Sequence, residues 1–399
     1  MEYKKDNNNI KMAENATKTK IFLICAEKSG NNILKCLLTD LKSAMGEQAF
    51  SNIDFQGIVY DDMTKTFGIK QLFSPEELAV FGIGDIIFRL PQILDCITST
   101  VNKILEWQPN LVLSVDAYDF CFRVAKKVRL HQASGTKFWH IVAPNVWAHS
   151  VSRAKKVAKN FHRLFYLLPF ERKYFKPLEL QGTNGFTSTF IGYPATFQQR
   201  NTNITKDEKL IGITIGSRQG EIKRHLGLIV DTIMLLRLLD PMYHFVILAT
   251  KDTSSQIAQA IKDIKQTTII DDDNEKQQTI QKCSLIIAKS GTNNVEIGAL
   301  GTAMITYYKT SKITYFLAKM LVKIKLINLY NITLGKMIIP EFIQQNATAN
   351  NLAKCANYLM SNPTAREEQL RQIAVAINEM QIKNTYPTKI VSNEIGKMI

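Results

Sequence analysis

Asp116 ends the short apolar run 111–115 and is followed by Ala117-Tyr118-Asp119-Phe120. A carboxylate at the tip of a buried strand has lost part of its water and can take a proton from a substrate hydroxyl within hydrogen-bond reach. Asp116 therefore reads as a general base, with helix capping as the competing role, and Asp119 is expected to be the N-cap of the helix that follows. Three other loops carry residue types suited to a ligand. Cys25-Ala26-Glu27-Lys28-Ser29-Gly30-Asn31 is a small-residue turn ahead of the helical spacing Ile33, Leu34, Leu37, Leu38. Its N–H groups can approach a ligand, and Ser29 can cap the helix or bond a sugar hydroxyl. Gly216-Ser217-Arg218-Gln219-Gly220-Glu221 joins an apolar run to a helix start; Arg218 would offer a planar fork to a diphosphate beside the helix N–H groups. Lys289-Ser290-Gly291-Thr292-Asn293-Asn294-Val295-Glu296 repeats the design. Ser290 and Thr292 would hold phosphate oxygens and Glu296 the ribose hydroxyls, or Thr292 and Glu296 merely cap and charge the helix. Neither loop is a Walker loop or a G-x-G-x-x-G turn. Two such loops in one half of the chain point to a nucleoside-diphosphate site.

Other clusters are weaker. Trp139, His140, Pro144, Trp147 and His149 form either a stacking wall for a sugar or base, or an interdomain packing surface. The metal reading of His140 and His149 is disfavoured, because no carboxylate or Cys stands at ligand spacing. Asp271-Asp272-Asp273 reads as a solvated loop, so neither a catalytic metal nor a cofactor is expected. The uncharged loop 78–84, with Val80, Phe81 and Ile83, leads into an amphipathic helix over 86–105 and could receive an acyl chain. Residues 297–340 contain no Asp or Glu, yet carry Lys309, Lys312, Lys319, Lys323, Lys325 and Lys336 among large apolar side chains. That composition suits a helix lying on anionic lipid, or a core helix with solvated lysines.

The elements that must position these loops alternate in type. Short apolar runs at 21–25, 53–58, 111–115, 137–142, 164–167 and 189–191, then at 210–215, 244–248, 267–270, 285–288 and 303–307, alternate with segments of helical period, the pattern of parallel β-α-β construction. In such sheets ligands bind beyond the carboxyl ends of the strands. The expected fold is two facing Rossmann-like, doubly wound α/β domains, 20–194 and 209–380, joined by a polar linker 195–208. Helices over 347–360 and 364–380 close the structure, with a C-terminal segment 381–399 and a disordered Asn- and Lys-rich tail 1–19. A length of 399 residues, 45% of them hydrophobic, supports two such cores, and a mean hydropathy of -0.08 describes an ordinary globular chain. The 50 Lys and Arg against 35 Asp and Glu leave a formal +15, which attracts phosphates in nucleic acid, lipid or nucleotide. Six scattered Cys without C-x-x-C spacing fit a reducing cytosol.

Taken in chain order, the residues from about 20 to 390 resemble the lipid-A-disaccharide synthases, membrane-associated bacterial glycosyltransferases of the GT-B type. The family's A-G-E-x-S-G-D loop stands at 25–31, E-L-x-V-M-G-I at 77–83, I-D-x-P-x-F at 115–120, S-P-S-V-W-A-W-R at 143–150, L-L-P-F-E at 167–171 and F-V-G-H-P at 190–194. In the second half, G-S-R-x-x-E-I stands at 216–222, S-G-T-x-x-x-E at 290–296 and L-P-N-x-x-x-G…P-E-x-x-Q at 329–344, with Asn331, Gly335, Pro340, Glu341 and Gln344 retained. The chain departs from the family at Asn31 (Asp), Val59-Tyr60 (Gly-Gly), His149-Ser150 (Trp-Arg) and Tyr193 (His), all on the acceptor side.

The resemblance implies an inverting, metal-independent transfer of 2,3-diacylglucosamine from its UDP conjugate to the 6-hydroxyl of 2,3-diacylglucosamine 1-phosphate, with Asp116 as base. Gly216, Ser217, Arg218, Ser290, Gly291, Thr292, Glu296 and Asn331 would face UDP. Glu27, Ser29 and Trp147 would face the acceptor, and Val80, Phe81, Ile83, Lys319 and Lys323 the acyl chains or the anionic cytoplasmic face of the inner membrane. No nucleic acid is expected as a partner, since no RNP-type or RGG pattern occurs; a homo-oligomer is left open. The alternatives are another UDP-sugar transferase of the same fold, or a non-catalytic membrane scaffold.

Overall fold

The computed structural model describes residues 18–78, 83–131, 135–147, 151–181, 185–311, 326–383 and 385–399. Of the sequence expectations, the tail before residue 18, Val80, Phe81, His149, Ser150, Lys319 and Lys323 lie outside these residues, as does the side chain of Ile83.

The chain opens with β1 (Thr19–Cys25), a run buried on both faces as a central parallel strand must be. In α1 (Lys28–Met45), Leu34, Leu37, Leu38 and Leu41 recur at helical spacing and are buried against the sheet, each contributing about 2 kcal/mol by burial. Then follow α2 (Glu47–Ser51), β2 (Ile53–Ile58), α3 (Asp61–Phe67), β3 (Lys70–Gln71), α4 (Ile83–Trp107), β4 (Leu111–Val115), α5 (Tyr118–Leu130), β5 (Lys137–Ile141), α6 (Val151–Asn160), β6 (Arg163–Tyr166), α7 (Arg172–Leu180) and β7 (Thr187–Phe190). These strands form a parallel sheet in the order β3-β2-β1-β4-β5-β6-β7.

The second half runs β8 (Asp207–Thr214), α8 (Gln219–Leu239), β9 (His244–Leu248), α9 (Lys251–Ile261), β10 (Thr267–Ile270), α10 (Asp273–Lys282), β11 (Cys283–Lys289), α11 (Asn293–Ala299), β12 (Ala303–Tyr308), α12 (Leu329–Leu334), β13 (Glu341–Ile343), α13 (Ala349–Ser361), α14 (Pro363–Glu379) and α15 (Pro387–Gly396). Its sheet is also parallel, ordered β10-β9-β8-β11-β12-β13. In each sheet the order reverses beside the first strand, which opens a crevice at the carboxyl edge.

The chain passes between the halves twice, and the two passages are bonded together. Tyr193 N donates to Met380 O at 2.9 Å, and Gln381 Nε2 to Thr196 O at 2.9 Å. Beyond the return, α15 packs on α1, with Thr388 bonded to Asp40 and Glu394 paired with Arg163. The last helix thus completes the first domain.

Three sequence expectations are corrected. Residues 207–208, placed in the linker, already belong to β8. Asp119 is not the N-cap of α5: Ala117 holds that place, and the Asp119 carboxylate pairs with Arg153 at 3.2 Å. Asp272 is no free loop carboxylate, for it caps α10 by accepting from Asn274 N and Glu275 N at 3.0 Å each.

Candidate active site

At the carboxyl edge of the first sheet, β1 and β4 are paired neighbours, which brings their two loops together. Ser29 Oγ donates to Asp116 Oδ2 at 3.0 Å, and Ala117 N donates to Oδ1 at 3.0 Å. Each carboxylate oxygen thereby accepts one bond and keeps a lone pair for a substrate proton. The turn is tight: Asp116 and Ala117 both have left-handed φ, 58° and 45°, an uncommon state outside glycine that costs of order 1–3 kcal/mol. Gly30 lets α1 approach, since a Cβ there would lie 3.2 Å from Val115 O.

Glu27 joins this group. Burial and the adjacent Asp116 charge push its carboxyl above the ordinary range, and Arg218, reaching over from the second domain, opposes them. Glu27 and Ser29, expected on the acceptor side, and Arg218, expected at the diphosphate, therefore lie within electrostatic reach of one another. Tyr60 and Tyr193, two of the departures from the family pattern, border the same carboxylates. Burial first, then charges including Glu27, push Tyr60 up to about 12; burial, then Asp116 and Glu171, raise Tyr193. Glu171 is 2% exposed, its Oε2 accepts from Leu168 N at 3.1 Å, and burial pushes it up to about 8. Trp147 packs edge-on against Phe170 with its indole beside Glu171.

The second domain's loops are tied by an ion pair that sequence reasoning did not single out. Lys289 Nζ lies 2.8 Å from Glu221 Oε1, with the side chains 17% and 8% exposed. Burial pushes Glu221 up, but the hydrogen bond and charge of Lys289 outweigh it and hold the carboxyl below its usual range. Gly216 is obligatory: its φ is 126°, and a Cβ there would stand 2.4 Å from Glu221 Oε2. Ser217 and Arg218 are exposed ahead of α8. In the facing loop Gly291 and Thr292 are exposed, Ser290 N is bonded to Tyr307 O at 2.9 Å, and the Thr292 side chain does not cap α11, which leaves its hydroxyl for a ligand. Glu296, raised by burial, accepts from Gln277 at 3.3 Å. Fully buried His225 donates from Nδ1 to Ile215 O and accepts the Lys309 N–H at Nε2, joining the ends of β8 and β12.

Asn331 departs from expectation. It is 0% exposed. Its Nδ2 donates to Ile339 O and Glu341 Oε1 at 2.8 and 2.7 Å, and its Oδ1 accepts from Ile338 N and Ile339 N at 2.9 Å each. The bonding capacity of its side chain is used internally, so it positions a turn and has no side-chain donor or acceptor left over for UDP. Glu341 in turn accepts from Ile327 N and Asn328 N at 2.9 and 2.8 Å, while Gln344 bonds Thr310 N at 3.0 Å. The retained Asn, Glu and Gln thus secure the two ends of the chain that flank 312–325. His140 is likewise a core residue: Nδ1 bonds Ser114 Oγ at 2.7 Å, and burial pushes it down to about 3. Among the described residues no group of three or more His, Cys, Asp or Glu could hold a metal.

Two facing parallel α/β sheets, with an Arg-bearing turn and a Ser-Gly-Thr turn on one side and paired carboxylates on the other, define a GT-B type architecture. Solved structures of this fold include the UDP-GlcNAc 2-epimerase from Neisseria meningitidis bound to UDP-GlcNAc (TM-score 0.61, 13% identity, 95% of this chain and 100% of that one) and MurG from Acinetobacter baumannii (TM-score 0.56, 13% identity, 95% and 99%). A family model described as lipid-A-disaccharide synthetase matches residues 21–393. The chain belongs to the lipid-A-disaccharide synthase family of glycosyltransferases. Relatives bearing that name include proteins of Rickettsia prowazekii, 33% identical over 95% of this chain and 98% of that protein, and Rhodospirillum centenum, 30% identical over 88% and 87%.

Proposed function

We propose that the chain transfers a 2,3-diacylglucosamine unit from UDP-2,3-diacylglucosamine to the 6-hydroxyl of 2,3-diacylglucosamine 1-phosphate, with inversion and without a metal. The supporting observation is the meeting of Asp116, Ser29 and Glu27 from one domain with Arg218 from the other. The acceptor hydroxyl gives its proton to Asp116 as its oxygen attacks the anomeric carbon. The bond from that carbon to the UDP oxygen breaks, and the electron pair leaves with UDP. Arg218 and the N–H groups of the 216–222 and 290–296 loops meet the charge that grows on the diphosphate. Glu296 would take the ribose hydroxyls, and Trp147 would border the acceptor sugar. Val80, Phe81 and Ile83 would receive acyl chains, and Lys319 and Lys323 would rest on anionic lipid. The chain would work as a peripheral protein on the cytoplasmic face of the inner membrane; no described helix is long and apolar enough to cross a membrane.

Product analysis with both lipid substrates tests this reading. The wild type should form disaccharide 1-phosphate and UDP, and Asp116→Ala should not; an equally active variant would remove the base assignment, and a wild type without disaccharide would remove the reaction.

A further inference from the structure

We infer that the outer face of the first domain, along α5 and α6, is a second docking surface for anionic membrane, separate from the active-site cleft. These two helices carry Arg123, Lys126, Lys127, Arg129, Arg153, Lys155, Lys156 and Lys159 against one acidic residue, Asp119. Nearly half of the chain's formal +15 is concentrated there. Asp119 is already neutralised by Arg153.

A groove of about 410 Å³ runs between the carboxyl-terminal halves of the helices, lined by Phe122, Lys126, Arg129, Leu130, Lys156 and Lys159 among others. Its cations are set over an apolar floor, and Leu130 is 72% exposed. On α4, which packs against α5, Leu90 and Leu94 are exposed as well, at 44% and 41%. Cations interleaved with exposed large aliphatic side chains fit a layer whose phosphates lie above its acyl chains.

The groove also keeps a donor open to an outside anion. Arg129 Nη1 is buried at the groove without a hydrogen-bond partner among the described residues, a costly state for a charged donor unless an outside anion completes it. Behind the groove, burial first and then the charges of Arg129 and Lys137 push His162 down to about 4. The helix carboxyl termini offset part of the charge, but each presents only about half a negative charge against several cations. A phosphodiester headgroup supplies what the groove lacks, an anion for Arg129 and Lys126 and an apolar remainder over Phe122 and Leu130.

The test is flotation of the full chain with vesicles of pure phosphatidylcholine and of equal parts phosphatidylcholine and phosphatidylglycerol. Lys126→Gln with Lys156→Gln should lower partition onto the anionic vesicles about 30-fold, the effect of two basic side chains near such a surface, and should leave partition onto neutral vesicles unchanged. Lys262→Gln with Lys354→Gln removes the same charge from exposed sites of the second domain and should change little. Equal loss in the two double variants would overturn the proposal, reducing it to net charge, and so would binding of a homopolymeric RNA that depends on Lys126 and Lys156 while vesicle binding does not. Turnover in detergent micelles, expected to be unchanged by either double variant, keeps this result separable from the transferase reading.

Discussion

The Ser29 hydroxyl donates to Asp116 Oδ2 at 3.0 Å across the junction of β1 and β4, 87 positions apart in sequence. Because Ala117 N holds the other oxygen, Ser29 decides where the free lone pair of Oδ2 points. Ser29→Ala should lower kcat and kcat/KM together by about tenfold, the worth of one hydrogen bond, with KM for the acceptor held. Asp116→Asn should cost roughly 10²–10⁴ in kcat, the range of a lost general base. Steady-state kinetics with varied acceptor separate the roles: a raised KM at constant kcat in Ser29→Ala would make Ser29 a binding group.

Arg218 lowers the pKa of Glu27 against burial and the Asp116 charge, which raise it. Once Arg218 turns to a diphosphate its charge is matched, the lowering is lost, and Glu27 rises further. UDP binding should therefore take up protons at mildly acidic pH. Calorimetry in buffers of different ionisation enthalpy reads the proton count; uptake should vanish in Glu27→Gln, and proton release in the wild type would contradict the arrangement.

The Glu221–Lys289 pair links the two nucleotide loops. Since the folded pKa of Glu221 is depressed, its contribution is complete above the unfolded carboxylate value and is lost as pH falls through the folded one, a window below 4.5. At neutral pH, Lys289→Ala leaves a buried carboxylate without its partner and should cost roughly 3 kcal/mol. Glu221→Gln with Lys289→Met should recover most of that. Urea midpoints of the three proteins across pH decide it: in both variants the loss of stability on the acid side should be shallower than in the wild type.

The inner strands 111–115 and 244–248 match the sequence reading residue for residue, because central parallel strands are continuous apolar runs bounded by turn residues; 53–58 and the edge strand 267–270 match it as well. The edge strands β3 and β13 were not legible. At two and three residues they have no period of their own and exist because a neighbouring strand offers its free edge. The loops around Asp116, Arg218 and Ser290 were legible because strand ends, small residues and helix starts mark them. The Glu221–Lys289 pair was not, since 68 residues separate partners that only the adjacency of β8 and β11 brings together. The return of α15 to the first domain was hidden for the same reason: its amphipathic pattern says that it packs, not on which domain.

Asn331 shows the limit of assigning a role from a motif, and its replacement distinguishes two kinds of importance. Its amide donates to Glu341 Oε1 at 2.7 Å and accepts from two backbone N–H groups. Asn331→Asp keeps the two acceptor bonds but sets a second carboxylate against Glu341 in a fully buried site. The variant should lose roughly 3 kcal/mol at neutral pH and regain part of it as the pair takes up a proton on acidification. A residue that contacted UDP from the cleft wall would behave otherwise, with unchanged urea stability and a raised KM for the UDP-sugar. Glu341→Gln on the Asn331→Asp background removes the repulsion and should restore stability more than Glu341→Gln alone harms it. A double-mutant cycle in urea, with a coupling of about 1 kcal/mol or more, would identify Asn331 as the residue that holds the turn before β13, and an additive cycle would return it to the nucleotide.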